Sequence, residues 1–104
     1  MVSGPLAAMM LADQGADVVK IENANDVGDR FRGARAGLQG SAAFSYVNRN
    51  KRSVTLNTKD ERGKQALLDI VKTSDVFLQN FRPGVADRMG VGYEAIRAIN
   101  QEIV

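Results

Sequence analysis

Two short stretches carry residue types able to bind an anionic ligand. The first is Asn48-Arg49-Asn50-Lys51-Arg52-Ser53, in which three cations stand among amides and a hydroxyl directly ahead of Val54-Thr55-Leu56. The second is Gln79-Asn80-Phe81-Arg82-Pro83-Gly84, which follows Val76-Phe77-Leu78. Arginine and lysine pair with phosphates, and an aromatic ring can stack on a base. Cations, amides and one aromatic near strand ends therefore suit an adenine nucleotide. The same composition describes a solvated loop, and residue types alone leave both readings open. Open α/β sheets bind ligands beyond the carboxyl ends of their strands. Asn80 and Phe81 lie at such an end. Asn50, Lys51 and Arg52 precede their strand and fall at the opposite edge.

Other constellations point to less. Glu22 ends an apolar run roughly 20 residues after Gly4, where a dinucleotide site would place a ribose-binding acid. Of the G-x-G-x-x-G fingerprint only Gly4 is present, followed by Pro5, so a polar strand end is the plainer reading. Asp26 and Asp29 share one loop. Asp60 and Glu61 stand at a helix start, where the dipole favours acids. No spacing resembles a metal site.

The sequence has no cysteine and no histidine. That excludes disulfides, cysteine nucleophiles, Cys/His zinc sites and any Ser-His-Asp triad. Acid–base or nucleophilic work would fall to carboxylates, lysine or tyrosine. The net charge of +2 is too small for a nucleic-acid binder, while the pI near 9.2 permits an anionic ligand. No apolar run approaches the ~20 residues of a membrane helix. Residues 1–5 carry no basic leader and Asp13 interrupts the apolar stretch behind them, so no secretory signal is expected and the cytoplasm is the expected compartment.

Strands and helices must position these groups. Ser3-Gly4-Pro5 predicts a helix start, with serine as cap and proline in the first turn. Leu6, Met9 and Met10 give one face, and Gly15 supplies the C′ residue, so the helix covers about residues 5–14. Residues 17–22 read as a buried parallel strand. Residues 23–40 are rich in Gly, Asp and Arg and form a long loop. A short helix over 41–47 and a strand over 53–56 follow. Thr58 and Glu61 have the capping-box spacing and open a helix with Ala66, Leu67, Ile70 and Val71 on one face, ending near Thr73. Residues 76–78 form a strand, 83–89 a short helix, and 93–99 a last helix stopped at Asn100. Residues 102–104 open another strand. Alternating strands and helices give an α/β fold: a partial Rossmann-like parallel sheet with flanking helices. At 104 residues the chain is one domain at most. The expectation is a domain incomplete at both ends.

In order and spacing, Gly4-Pro5-Leu6-Ala7, the run from Leu11 to Glu22, Asn48-Arg49-Asn50-Lys51-Arg52-Ser53, Asn80-Phe81-Arg82-Pro83-Gly84 and Gly92-Tyr93-Glu94-Ala95-Ile96 together resemble the N-terminal part of the family III CoA-transferases. That family includes formyl-CoA transferase, the carnitine CoA-transferases and α-methylacyl-CoA racemase. The resemblance covers nearly the whole chain. It implies the N-terminal part of a CoA-binding Rossmann-like domain, coenzyme A as acyl carrier, acyl-CoA and carboxylic acid substrates, and an interlocked homodimer. It implies neither a nucleic-acid nor a membrane partner.

The family's transferases attack the thioester with an aspartate beyond the matched segment, so no catalytic residue is assigned here. The racemase branch uses a downstream histidine and aspartate and stands as the alternative enzyme. A stand-alone nucleotide-binding or interaction module is the non-enzyme alternative. Residue by residue, the resemblance places Val2 and Ser3 at the thioester end, Leu56 and Lys59 at the adenine nucleotide, Asn80 and Phe81 beside CoA, and Arg88 on a phosphate. Asn23 stands where the family often has an arginine; Arg30 or Arg32 is the expected substitute. Asn50, Lys51 and Arg52 are expected to orient the strand and loop.

Overall fold

The computed structural model describes residues 2–23, 28–31 and 41–104, with the backbone alone at 28 and 29. Most of the expected loop, with Asp26 and Arg32 in it, lies outside the described residues, as does the Asp29 side chain. The chain is α/β, with two parallel strands in one sheet and flanking helices. It divides into two compact units, Met1–Thr55 and Leu56–Val104.

The first unit begins with α1 (Ser3–Asp13), which buries Met9 and Ala12. Its N-cap is Val2, without a side-chain cap bond, and not Ser3. The helix starts two residues earlier than Pro5 suggests because Pro5 is tolerated anywhere in a first turn. At the other end, Gly15 at φ +101° lets its own N–H reach the Ala12 carbonyl and the Ala16 N–H reach the Leu11 carbonyl. That pair of bonds closes the helix as a Schellman motif, and only glycine enters this backbone region without a Cβ penalty.

The strand β1 (Val18–Asn23) follows. Each of its residues is half-buried, where full burial was expected. One helical turn, α2 (Gly28–Phe31), was not foreseen. Then come α3 (Ala42–Val47) and β2 (Lys51–Leu56). The Ser41 side chain caps α3 by accepting from the Phe44 N–H at 3.0 Å. Asn50 at φ +61° turns the chain from α3 into β2, a left-handed conformation that asparagine tolerates better than most residues.

The second unit opens at the last residue of β2 and contains α4 (Glu61–Val71), α5 (Val85–Arg88) and α6 (Tyr93–Ile99). The cap of α4 is Asp60, which accepts from the Arg62 N–H at 2.9 Å, rather than Thr58. The Asn57 side chain takes the Lys59 N–H, so Thr58 is consumed in a turn ahead of the helix. A Cβ at Gly63 would stand 2.1 Å from the Asn57 carbonyl oxygen, so that turn and α4 touch backbone to backbone. Leu67 and Val71 of α4 are buried with Ala86, Val91, Ile96 and Ile103. Asn100 donates from Nδ2 to the carbonyls of Val71 and Ser74, tying the end of α6 to the end of α4.

Residues 76–78 do not form an assigned strand. The Val104 N–H donates to the Asp75 carbonyl and the Phe77 N–H to the Val104 carbonyl, at 3.0 and 2.9 Å. These two bonds have the pattern of a single parallel bridge, too little to count as a ladder. Val76 and Leu78 are correspondingly exposed.

Candidate functional site

The cationic block of the first unit is bonded internally at every member. Arg49 donates from Nε and Nη2 to both oxygens of Asp13, and Asn50 Nδ2 adds a bond of 2.8 Å to the same carboxylate. Arg52 takes Asp17 in the same two-pronged way. Asn48 Nδ2 returns to the Phe44 carbonyl. Lys51 Nζ donates to the Pro5 carbonyl at 2.8 Å, the Val47 carbonyl at 2.8 Å and Asn48 Oδ1 at 2.9 Å, which uses all three ammonium protons.

The pKa directions follow from these contacts. The Arg49 hydrogen bond, opposed by some burial, holds the Asp13 carboxyl below its usual range. Burial lowers the Lys51 ammonium, and the neighbouring Lys20 charge lowers it further.

Beside this block lies a cleft of about 180 Å³ between β1, β2 and α3, lined by Lys20, Glu22, Arg30, Phe44, Lys51 and Ser53 among others. That is below the range of about 300–1,000 Å³ typical of small-molecule pockets. One of its walls carries a carboxylate that is already paired. Glu22 accepts from Arg30 Nε and Nη2 and from Ser53 Oγ. Burial pushes the Glu22 carboxyl up, but the Arg30 and Ser53 bonds outweigh it and leave the carboxyl lowered. The Arg30 guanidinium also stacks 4.4 Å from the Phe44 ring centroid. Glu22 is therefore a paired strand end, as the plainer reading had it. Arg30, expected as a substitute cation beside Asn23, is engaged by Glu22.

The remaining predicted positions divide between the units. Val2 and Ser3 are exposed at the start of α1. In the second unit, Leu56 is the last residue of β2 and half-buried, and Lys59 is exposed in the turn ahead of α4. Asn80 is half-buried and Phe81 exposed, with the Phe81 N–H held by Gln79 Oε1 at 2.7 Å. Gly84, at φ +76°, caps α5 and lets the chain reverse. The Arg88 guanidinium folds back over it, since a Cβ there would meet Nη1 at 3.2 Å. The structure thus sets the Arg88 guanidinium against Gly84, at the end of the stretch that carries Asn80 and Phe81, while Leu56 ends β2 and Lys59 stands in the turn before α4. Among the described residues, Lys59, Arg82 and Arg88 take part in no ion pair.

The sequence reading did not find Asp13 and Asp17 as anchors of the cationic block. Their partners lie 35–37 positions away, beyond any spacing rule. No group of three or more potential metal ligands occurs among the described residues. No helix among them is long and apolar enough to cross a membrane.

The chain is similar to known proteins. A formyl-CoA:oxalate CoA-transferase of Streptomyces avermitilis is 50% identical over 104 residues, covering 98% of this chain and 25% of that protein. One from Rhodopseudomonas palustris is 46% identical over 98% of this chain and 24% of its own length. The chain thus spans about a quarter of these curated relatives. A crystal structure of a CaiB/BaiF family protein from Brucella suis matches with a TM-score of 0.89 at 34% identity, over 99% of this chain and 28% of the other. The description "CoA-transferase family III" fits residues 1–104, and the chain belongs to that family.

Proposed function

We propose that this chain supplies the N-terminal, CoA-holding part of the Rossmann-like domain of a CoA-transferase. The enzyme moves CoA between an acyl-CoA and a free carboxylic acid. The relatives' name suggests formyl-CoA and oxalate as the substrate pair. The reaction passes through an aspartyl intermediate whose nucleophile is none of these 104 residues, in an interlocked cytoplasmic homodimer.

Val2 and Ser3 contact the thioester end, Leu56 and Lys59 the adenine nucleotide, Asn80 and Phe81 the body of CoA, and Arg88 a phosphate. The observation that supports this reading is the state of the cations. Those of the first unit's block are held by carboxylates and carbonyls, whereas Lys59 and Arg88 stand exposed and pair with no acid among the described residues. An exposed guanidinium on α5, four residues past Gly84, and an exposed ring at Phe81 are the residue types that suit the phosphate and base of CoA.

The test is an amide NMR titration of the chain with CoA. Shifts at Lys59, Phe81 and Arg88 are expected. A dispersed spectrum that ignores CoA would contradict the reading and favour a stand-alone module.

A further inference from the structure

We infer that Lys51 is a positioning residue that sets the first turn of α1, and with it Val2 and Ser3. This deepens the reading above and rests on it for the role of those two residues. The ammonium bridges three pieces of chain: Pro5 in the first turn of α1, Val47 at the end of α3, and Asn48 beyond it.

The seat runs against the usual electrostatic preference. A cation is unfavourable near a helix N-terminus, this one is half-buried, and Lys20 adds a like charge. All three of its acceptors are neutral oxygens. What the seat offers instead is direction. An ammonium presents three donors from one point, and here they converge on oxygens whose relative placement they fix. The α1 N-terminus needs such a fixture, because its N-cap Val2 makes no side-chain cap bond. The opposite end of α1 is secured independently by Arg49 and Asn50 on Asp13. Losing Lys51 should therefore swing the first turn and leave the last turn in place.

The test compares the chain with its Lys51→Met and Lys51→Arg variants by amide NMR. Lys51→Arg keeps the charge but replaces the three-way seat with a planar fork, and it serves if Lys51→Met loses its dispersed spectrum. Residual dipolar couplings at Leu6 and Ala7 should change in the variants while those at Leu11 and Ala12 hold. On adding CoA, shifts at Val2 and Ser3 should be lost while those at Lys59 and Arg88 persist. Unchanged couplings at Leu6 and Ala7, or Val2 and Ser3 responses equal to the parent's, would overturn the inference. Absence of any CoA response in the parent chain would instead overturn the proposed function, and the couplings would still decide the role of Lys51.

Discussion

The two units use the same residue types to opposite ends. In the first, the core is thin: Met9 and Ala12 are its buried apolar side chains among the described residues. Long-range polar bonds complete the packing there, with Arg49, Asn50, Lys51 and Arg52 stitching β2 to α1 and to the approach of β1. In the second, six apolar side chains are buried, and Lys59, Arg82 and Arg88 pair with no carboxylate among the described residues. On the proposed reading, a dense cluster of cations is a poor marker of an anion site. The informative quantity is whether each charge already has a partner, because a paired and oriented guanidinium must give up that pairing before it can serve a ligand.

The comparison can be broken most sharply at the second unit's core. Ile96→Ala should cost about 3 kcal/mol, since a nearly fully buried side chain is replaced by a cavity. Denaturant unfolding with a shifted midpoint and unchanged slope would register it. A loss below about 1 kcal/mol would mean that the packing around α6 relaxes far more readily than described. Gly63→Ala should cost about 2 kcal/mol or more, because its Cβ would press on a backbone carbonyl that cannot rotate away.

The polar stitching of the first unit should respond less in size but differently in kind. Glu22→Gln should cost about 1 kcal/mol, a charge-assisted pairing discounted for its partial exposure. Its distinguishing mark is pH. The Glu22 carboxyl lies below its ordinary value of 4.5 in the folded chain. Its contribution is therefore full above that value and lost as pH falls through the lowered one. Asp13 behaves alike from 3.8 downward. Acid titration of stability should flatten in Glu22→Gln and keep its shape in Ile96→Ala. Smallest of all, Asp17→Asn should leave the melting temperature unchanged, because the Arg52–Asp17 pair is 69% and 70% exposed. A measurable drop would show that the exposed pair does more than its geometry suggests.

Legibility in the sequence followed the range of each interaction. The C′ role of Gly15, the helix over 41–47 and the helix stopped at Asn100 depend on neighbours within a turn, and each is present; the regular alternation of strands with helices is not, since the described residues form two strands and six helices. The Ser3 and Thr58 caps failed because several polar residues near a helix start compete for one role, and Val2 and Asp60 hold it. Residues 76–78 have strand-forming side chains, but pairing decides a strand, and a single bridge is made. The anchoring of Arg49 and Arg52 was invisible, since Asp13 and Asp17 carry no local sign of partners more than thirty residues away. The structural role of the Asn50-Lys51-Arg52 run was expected from family resemblance, and the bonds of those residues agree with it.

We propose that available charge, not charge density, marks the CoA contacts. Calorimetric titration of CoA into the chain and its Arg88→Gln and Arg49→Gln variants tests it most directly. The account predicts that Arg88→Gln weakens CoA binding about tenfold, the worth of one phosphate contact of ~1.4 kcal/mol. Arg49→Gln should bind CoA as the parent does while losing some stability. CoA affinity that falls in Arg49→Gln and holds in Arg88→Gln would contradict the account and return the site to the cationic block of the first unit.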